Sequence, residues 1–468
     1  MKIPSRTWTS PRRSAPFLLA SIAAAAFACS GGGSSPSEGD QPDSSVAQDP
    51  GDANVADVAS PTDADNGDAS PPPSDAGPGK DAADAGPPIK YVVVIVKENH
   101  TFDNYFAGFP GADSSLTAKL STGKTITRPI APKGGLEHDI SHSHTSAMTA
   151  FHGGAMDGFD LVSGGNYGTP GDEYAFMHYS EAQIPNYWQL ARHFVLADHF
   201  FSSTFGPSFP GHFAVTGGFN VSLDNPKCGC GGTCTVPVYD PTTCAISDAV
   251  PCWTAPSIVE ELPPGFTWAE YGVDTLMSNK AVSQIPGVAA NFRTRTQFNG
   301  DIRSAKQPNL MFLHVQGNVS EHPPAIGTGP LQICPGENDS VGILTSIMTG
   351  PHWNETAVLL LWDDWGGFYD SVKPPAKKCP NGDYMTPGFR LPLIIVSPFA
   401  KPGYVLKNVT EQASIVRFVE DLWHLPRMAP KDPRIHDDTV GSLMDAFDFT
   451  QAPLPPLSLP IRDCTGQP

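Results

Sequence analysis

Ile89-Lys90-Tyr91-Val92-Val93-Val94-Ile95-Val96 is a near-continuous β-branched run that leads straight into Lys97-Glu98-Asn99-His100-Thr101-Phe102-Asp103-Asn104-Tyr105-Phe106. It shows no polar alternation, so it predicts a strand covered on both faces, as in a parallel sheet. Three similar runs follow, at residues 309–315, 357–362 and 391–396. Helical patterns lie between and after them, at residues 146–156, 182–194 and 409–422. The last is the clearest, with Ile415, Val416, Phe418, Val419 and Leu422 on one face. Strands alternating with helices predict an α/β sandwich. No internal repeat is visible.

Upstream of this run the composition changes twice. The chain has 468 residues and a net charge of −19. Residues 1–29 carry +4, from Lys2, Arg6, Arg12 and Arg13, and residues 30–89 carry −11, which leaves −12 for the remainder. The basic start, the uncharged stretch from Ala15 to Ala28 and the ending Ala26-Phe27-Ala28-Cys29 predict a signal peptide over residues 1–28. Such a stretch is too short to span a bilayer as a mature helix. Cys29 stands where a bacterial lipoprotein carries its lipid, and plain secretion is the alternative. Residues 29–89 are rich in Asp, Pro, Ser and Gly and poor in large apolar groups, which predicts a disordered tether. The expected location is therefore the bacterial cell envelope, the periplasm or the medium. The acidic balance excludes a broad phosphate-backbone binder of nucleic acid.

Chemistry-bearing residues cluster where the runs end. The first delivers Glu98 and Asn99, and the run at 357–362 delivers Asp363 and Asp364, followed by Gly366-Gly367. Ligands of open α/β sheets gather beyond the carboxyl ends of the strands. Acids brought together there need a raised pKa or a cation, so a divalent metal of unspecified identity is expected. Solvated loop acids, helix caps or a surface ion pair are the plainer reading. Ser208, within Phe205-Gly206-Pro207-Ser208-Phe209-Pro210-Gly211-His212, stands at a turn into an apolar helical stretch. It is either a cap or a hydroxyl nucleophile. Seven of the fourteen histidines fall between residues 138 and 199.

These motifs resemble those of the bacterial phosphoesterase family that groups non-metallo phospholipases C with periplasmic acid phosphatases, within the alkaline-phosphatase-like superfamily. The resemblance is carried by Glu98 to Phe106, Asp139 to His142, Gly154 to Phe159, Gly206 to His212, Glu321 to Pro324 and Trp362 to Pro375. It spans roughly residues 90–452 in order and implies a three-layer α/β/α sandwich with a mostly parallel sheet. It further implies Ser208 as the phosphate-accepting nucleophile and a divalent cation held by Glu98, Asn99, Asp363 and Asp364. His142 and His322 would stabilise or protonate the phosphoryl oxygens and the leaving group, and His212 would be architectural. Two histidines of the family pattern are replaced, by Ser371 and by Gln412. The implied substrates are phosphate monoesters or phospholipids. The competing reading is a catalytically inactive surface-binding protein on a phosphoesterase scaffold.

Apart from Cys29, eight cysteines remain, five of them within a proposed insertion at residues 221–255. In an exported chain disulfides are expected, with a zinc knuckle as the rival reading of Cys228, Cys230 and Cys234. Five is odd, so full pairing needs at least one bridge from the insertion to a distant cysteine. Residues 453–468 read as a Pro-rich tail.

Overall fold

A computed structural model describes residues 87–162, 170–219, 222–325, 327–380, 382–432 and 434–465. The predicted signal peptide, Cys29 and the tether up to residue 86 lie outside the described residues.

The opening run forms β1 (Tyr91–Lys97) in the middle of an eight-stranded sheet. The other strands are β2 (Val195–Ala197), β3 (Trp268–Tyr271), β4 (Phe292–Arg293), β5 (Leu310–His314), β6 (Thr356–Trp362), β7 (Leu393–Val396) and β8 (Tyr404–Leu406). They lie in the order β8-β2-β7-β6-β1-β5-β3-β4. β1 pairs in parallel with β5 and β6, and β3 joins β5 in parallel. Among the described strands of this sheet, β7 alone runs against its neighbours.

The register explains why the central strands carry no polar alternation. Val96 lies beside His314, whose ring packs on His212 of the Ser208–Gly217 helix at 4.7 Å between centroids. One residue on, Lys97 lies beside Trp362 and points the other way. Its Nζ donates to Gly336 O of the Cys334–Met348 helix at 3.1 Å, and the Trp362 ring meets Tyr187 of the Pro185–His193 helix. Because successive side chains alternate across a strand, helices cover both faces, and the expected α/β/α sandwich forms. Val92 to Val96 and every residue of β6 are buried accordingly.

Element boundaries depart from the sequence reading where proline or pairing intervenes. The helix predicted from residue 182 starts at Pro185, which suits a first turn and disfavours helix before it. The helix predicted from residue 409 starts at Ser414, because Thr410–Glu411 pairs with Phe200–Phe201 as an extended segment. The strand predicted from 391 starts at Leu393, after Pro392, which has no N–H for a ladder.

Four disulfides join Cys228–Cys234, Cys230–Cys252, Cys244–Cys379 and Cys334–Cys464. The third is the expected bridge out of the insertion. The fourth holds the C-terminal segment, where Arg462 also pairs with buried Glu337. Among the described residues no helix is long and apolar enough to cross a membrane.

Candidate active site

Period-2 alternation builds the site. Lys97 points to one face of the sheet, so Glu98, the next residue, emerges on the other, and Asp363 follows Trp362 in the same way. The Asp363 N–H donates to Lys97 O at 3.0 Å, which continues the β1–β6 pairing past the strand ends. Asp363 Oδ1 then accepts from Asn99 N at 2.8 Å and from Asp364 N at 2.7 Å. Gly366 and Gly211 allow the close approach. A Cβ on Gly366, which has φ +58°, would stand 2.1 Å from Asn99 O, and one on Gly211 would stand 2.0 Å from Asp363 O. Both positions therefore require glycine.

Gly211 lets the Ser208–Gly217 helix lie against this loop, and Ser208 meets the acids. Its Oγ is 3.0 Å from Asp364 Oδ2 and 3.4 Å from Asn99 Oδ1. Ser208 is the first residue inside the helix, with Pro207 at the capping position, and its hydroxyl makes no cap bond. The plain capping account of Ser208 therefore fails.

The two predicted histidines frame the opposite side. His142 Nδ1 lies 2.8 Å from Ile140 O, which leaves Nε2 facing Asn99 Nδ2 at 3.2 Å. Burial lowers its pKa, but Asp364, Asp139 and Glu98 raise it to about 9. A cation among those carboxylates would weaken the rise, because it offsets the same negative charge. His322 has Nδ1 at 2.6 Å from Pro323 O, and its ring centroid lies 5.9 Å from that of His142. The structure thus brings together Ser208, His142, His322, Glu98, Asn99, Asp363 and Asp364.

His212, expected as architectural, also reaches the cluster. Its Nε2 is 3.1 Å from Glu98 Oε1 and 3.4 Å from Asp363 Oδ2. Burial pushes Glu98 upward, yet the His212 hydrogen bond and charge, with His322 beyond, bring it down to about 2. Asp363 is raised well above the usual range by burial and by the charges of Glu98 and Asp364. Behind His212, its Nδ1 lies 2.7 Å from His314 Nδ1, and His314 Nε2 lies 2.9 Å from Glu270 Oε1. Burial raises Glu270 well above its usual range and lowers His314 well below its own. A signal for this was present: His314 and Glu270 are the polar residues inside two otherwise apolar strands.

The donor set fits a divalent cation. Asp363 Oδ2 is buried without a hydrogen-bond partner, and Glu98, His212 and Asp363 each offer an atom within 4.8 Å of the others. Oxygen donors with one imidazole suit several divalent metals. Gln412 is fully buried and serves the same loop. Its Nε2 donates to Asp363 O, and its Oε1 accepts from Ser203 N at 2.9 Å.

Beneath the site, on the other face, Glu321 is buried in a set of donors. Lys97 Nζ is at 3.1 Å, Tyr105 Oη at 2.6 Å and Trp362 Nε1 at 3.1 Å, with Tyr187 Oη also bonded. This anchors the loop that carries His322.

The chain is similar to phospholipase C A of Mycobacterium tuberculosis, at 23% identity over 80% of each chain. It is also similar to non-specific phospholipase C6 of Arabidopsis thaliana, at 24% identity over 72% of this chain and 68% of the relative. Non-hemolytic phospholipase C of Pseudomonas aeruginosa matches at 23% identity over 77% of this chain and 57% of its own length. A solved structure of an alkaline phosphatase superfamily protein from Vibrio parahaemolyticus overlaps 73% of this chain and 69% of its own at 10% identity, with a TM-score of 0.35. The model of the Phosphoesterase family matches residues 89–426, which takes in every residue of the cluster around Ser208. The chain belongs to the Phosphoesterase family and is a phosphoric ester hydrolase.

Proposed function

We propose that the protein hydrolyses phosphate esters by double displacement at Ser208, on phospholipid head groups or phosphate monoesters. The observation that carries this is the 3.0 Å bond from Ser208 Oγ to Asp364 Oδ2, beside a buried Asp363 oxygen that lacks a hydrogen-bond partner.

Glu98, Asn99, Asp363, Asp364 and His212 would hold a divalent cation, which supplies charge stabilisation at the phosphoryl oxygens and favours the ionised hydroxyl. In the first step Ser208 Oγ bonds to phosphorus and its proton passes to Asp364 Oδ2. The ester P–O bond breaks, and the leaving oxygen takes a proton from His142 or His322. In the second step that imidazole accepts a proton from water as the water oxygen bonds to phosphorus. Ser208 Oγ then leaves and recovers its proton from Asp364. The imidazolium charge of His142 also offsets negative charge that builds on the phosphoryl group. Export through residues 1–28, with a lipid on Cys29 and the acidic tether behind it, would present this site at a membrane surface.

The test is turnover of p-nitrophenyl phosphate and p-nitrophenyl phosphorylcholine by wild type and Ser208→Ala. Loss of both activities in the variant is expected. Wild-type turnover by Ser208→Ala would remove the serine from the mechanism, and inactivity of the wild type with every divalent cation would favour the inactive scaffold. The ratio of the two substrates separates monoesterase from phospholipase C character.

A further inference from the structure

The helix that begins at Ser208 lacks its own cap. Pro207 has no side-chain acceptor, so the first-turn N–H groups need partners from elsewhere. The amide of Phe209, the residue after Ser208, donates to Asn225 Oδ1 at 2.8 Å. Asn225 belongs to the disulfide-bonded insertion, and its segment is held firmly. Leu223 N donates to Pro237 O at 2.9 Å, and Ser222 bridges to Val238 in the hairpin of Val236–Tyr239 and Ile246–Ala249.

A second segment, stapled to the insertion, grips the other end of the turn. Cys244 at the hairpin tip is bonded to Cys379, and Leu223, Tyr239, Cys379 and Met385 are buried together. Met385 O accepts from Phe205 N at 3.1 Å and from Thr204 Oγ1 at 3.0 Å, just ahead of Gly206-Pro207-Ser208. A third contact is aromatic. Trp253, next to bridged Cys252, lies 5.9 Å from the Phe209 ring and 5.2 Å from the Phe213 ring, between centroids.

We propose that the Cys-rich insertion is a clamp on the nucleophile turn and that Asn225 is its positioning residue. It acts through the Phe209 amide, not on substrate. One bond from the insertion and two from the Met385 carbonyl in the segment that Cys244–Cys379 staples to it, on both sides of Ser208, set where the hydroxyl stands relative to Asp364. This rests on the reading of Ser208 as nucleophile. Loss of the Asn225 oxygen frees the first turn, and a displacement of about 1 Å at a reacting atom costs on the order of 100-fold in rate.

The experiment compares Asn225→Ala, Asn225→Asp and Ser208→Ala on p-nitrophenyl phosphate, with thermal unfolding of each. For Asn225→Ala the expected result is kcat lower by roughly 10- to 100-fold, KM within about twofold and an unfolding temperature close to wild type. Asn225→Asp keeps an oxygen acceptor and should recover most of kcat. A double variant, Cys244→Ser with Cys379→Ser, should lower kcat in the same way. The proposal is overturned if Asn225→Ala keeps wild-type kcat, or if its loss of activity tracks a loss of stability that Asn225→Asp does not rescue. An active Ser208→Ala would instead sink the nucleophile reading; an inactive Ser208→Ala beside an unaffected Asn225→Ala sinks only the clamp.

Discussion

Ser208 Oγ donates to Asp364 Oδ2 at 3.0 Å, a bond that joins a helix start to a strand end 156 residues away in sequence. Burial raises the Asp364 carboxylate above its usual range, with the charge of His142 opposing, and a cation held beside it would lower it again. Asp364→Asn keeps the shape and loses that acceptor. Its kcat should fall by at least ~100-fold with little change in KM, the size of a general-base contribution. A steady-state kinetic profile within threefold of wild type would remove Asp364 from the proton path.

Cation binding should show in stability as well as in activity. A ligand that binds the folded state at 100 times its Kd adds about 2.7 kcal/mol. Chelator-stripped protein should unfold at lower temperature than protein with added divalent cation. The shift should vanish in Asp363→Asn, which loses the buried carboxylate charge, and shrink in His212→Gln. Equal shifts in all three proteins would place the cation elsewhere.

Glu321 and Lys97 form a buried pair at 3.1 Å, both side chains fully covered. Removing one partner of such a pair leaves an uncompensated buried charge, at a cost of about 3–5 kcal/mol. Glu321→Ala should therefore be strongly destabilised in urea unfolding. A loss below ~1 kcal/mol would show that water or a shifted side chain replaces the carboxylate.

Glu420 gives a pH signature away from the site. Burial first, and then the Asp437 carboxylate, hold its pKa at about 8 against an ordinary 4.5, with Arg427 opposing. Between those values the folded protein keeps a proton that the unfolded chain has lost, so stability falls as pH rises through the window. Glu420→Gln stays neutral throughout, so its unfolding temperature should decline less between pH 5 and 8. Parallel curves for the two proteins would contradict the assignment.

The sheet was legible where strands are long and covered on both faces. β1 and β6 have seven residues each and read directly as apolar runs. β2, β3, β4 and β8 have two to four residues, too few for a periodic signal, and they exist because neighbours supply their hydrogen bonds. Glu98, Asn99, Asp363 and Asp364 were legible because each pair follows a recognisable strand. The orientation of β7 was not, since an apolar run carries no information on strand direction.

The sequence by itself determined the central strands, the acids at their ends, the serine at its turn and the need for a disulfide out of the insertion. These follow from burial patterns and turn chemistry that act over a few residues. Tertiary structure alone decided that His212 faces Glu98, that Glu321 receives Lys97, and that Asn225 holds the amide beside Ser208. Each is a hydrogen bond or ion pair between side chains and amides remote in the chain or set by a fold-dependent turn. Such bonds depend on distances of about 3 Å and on which way a side chain points, and no local pattern encodes either.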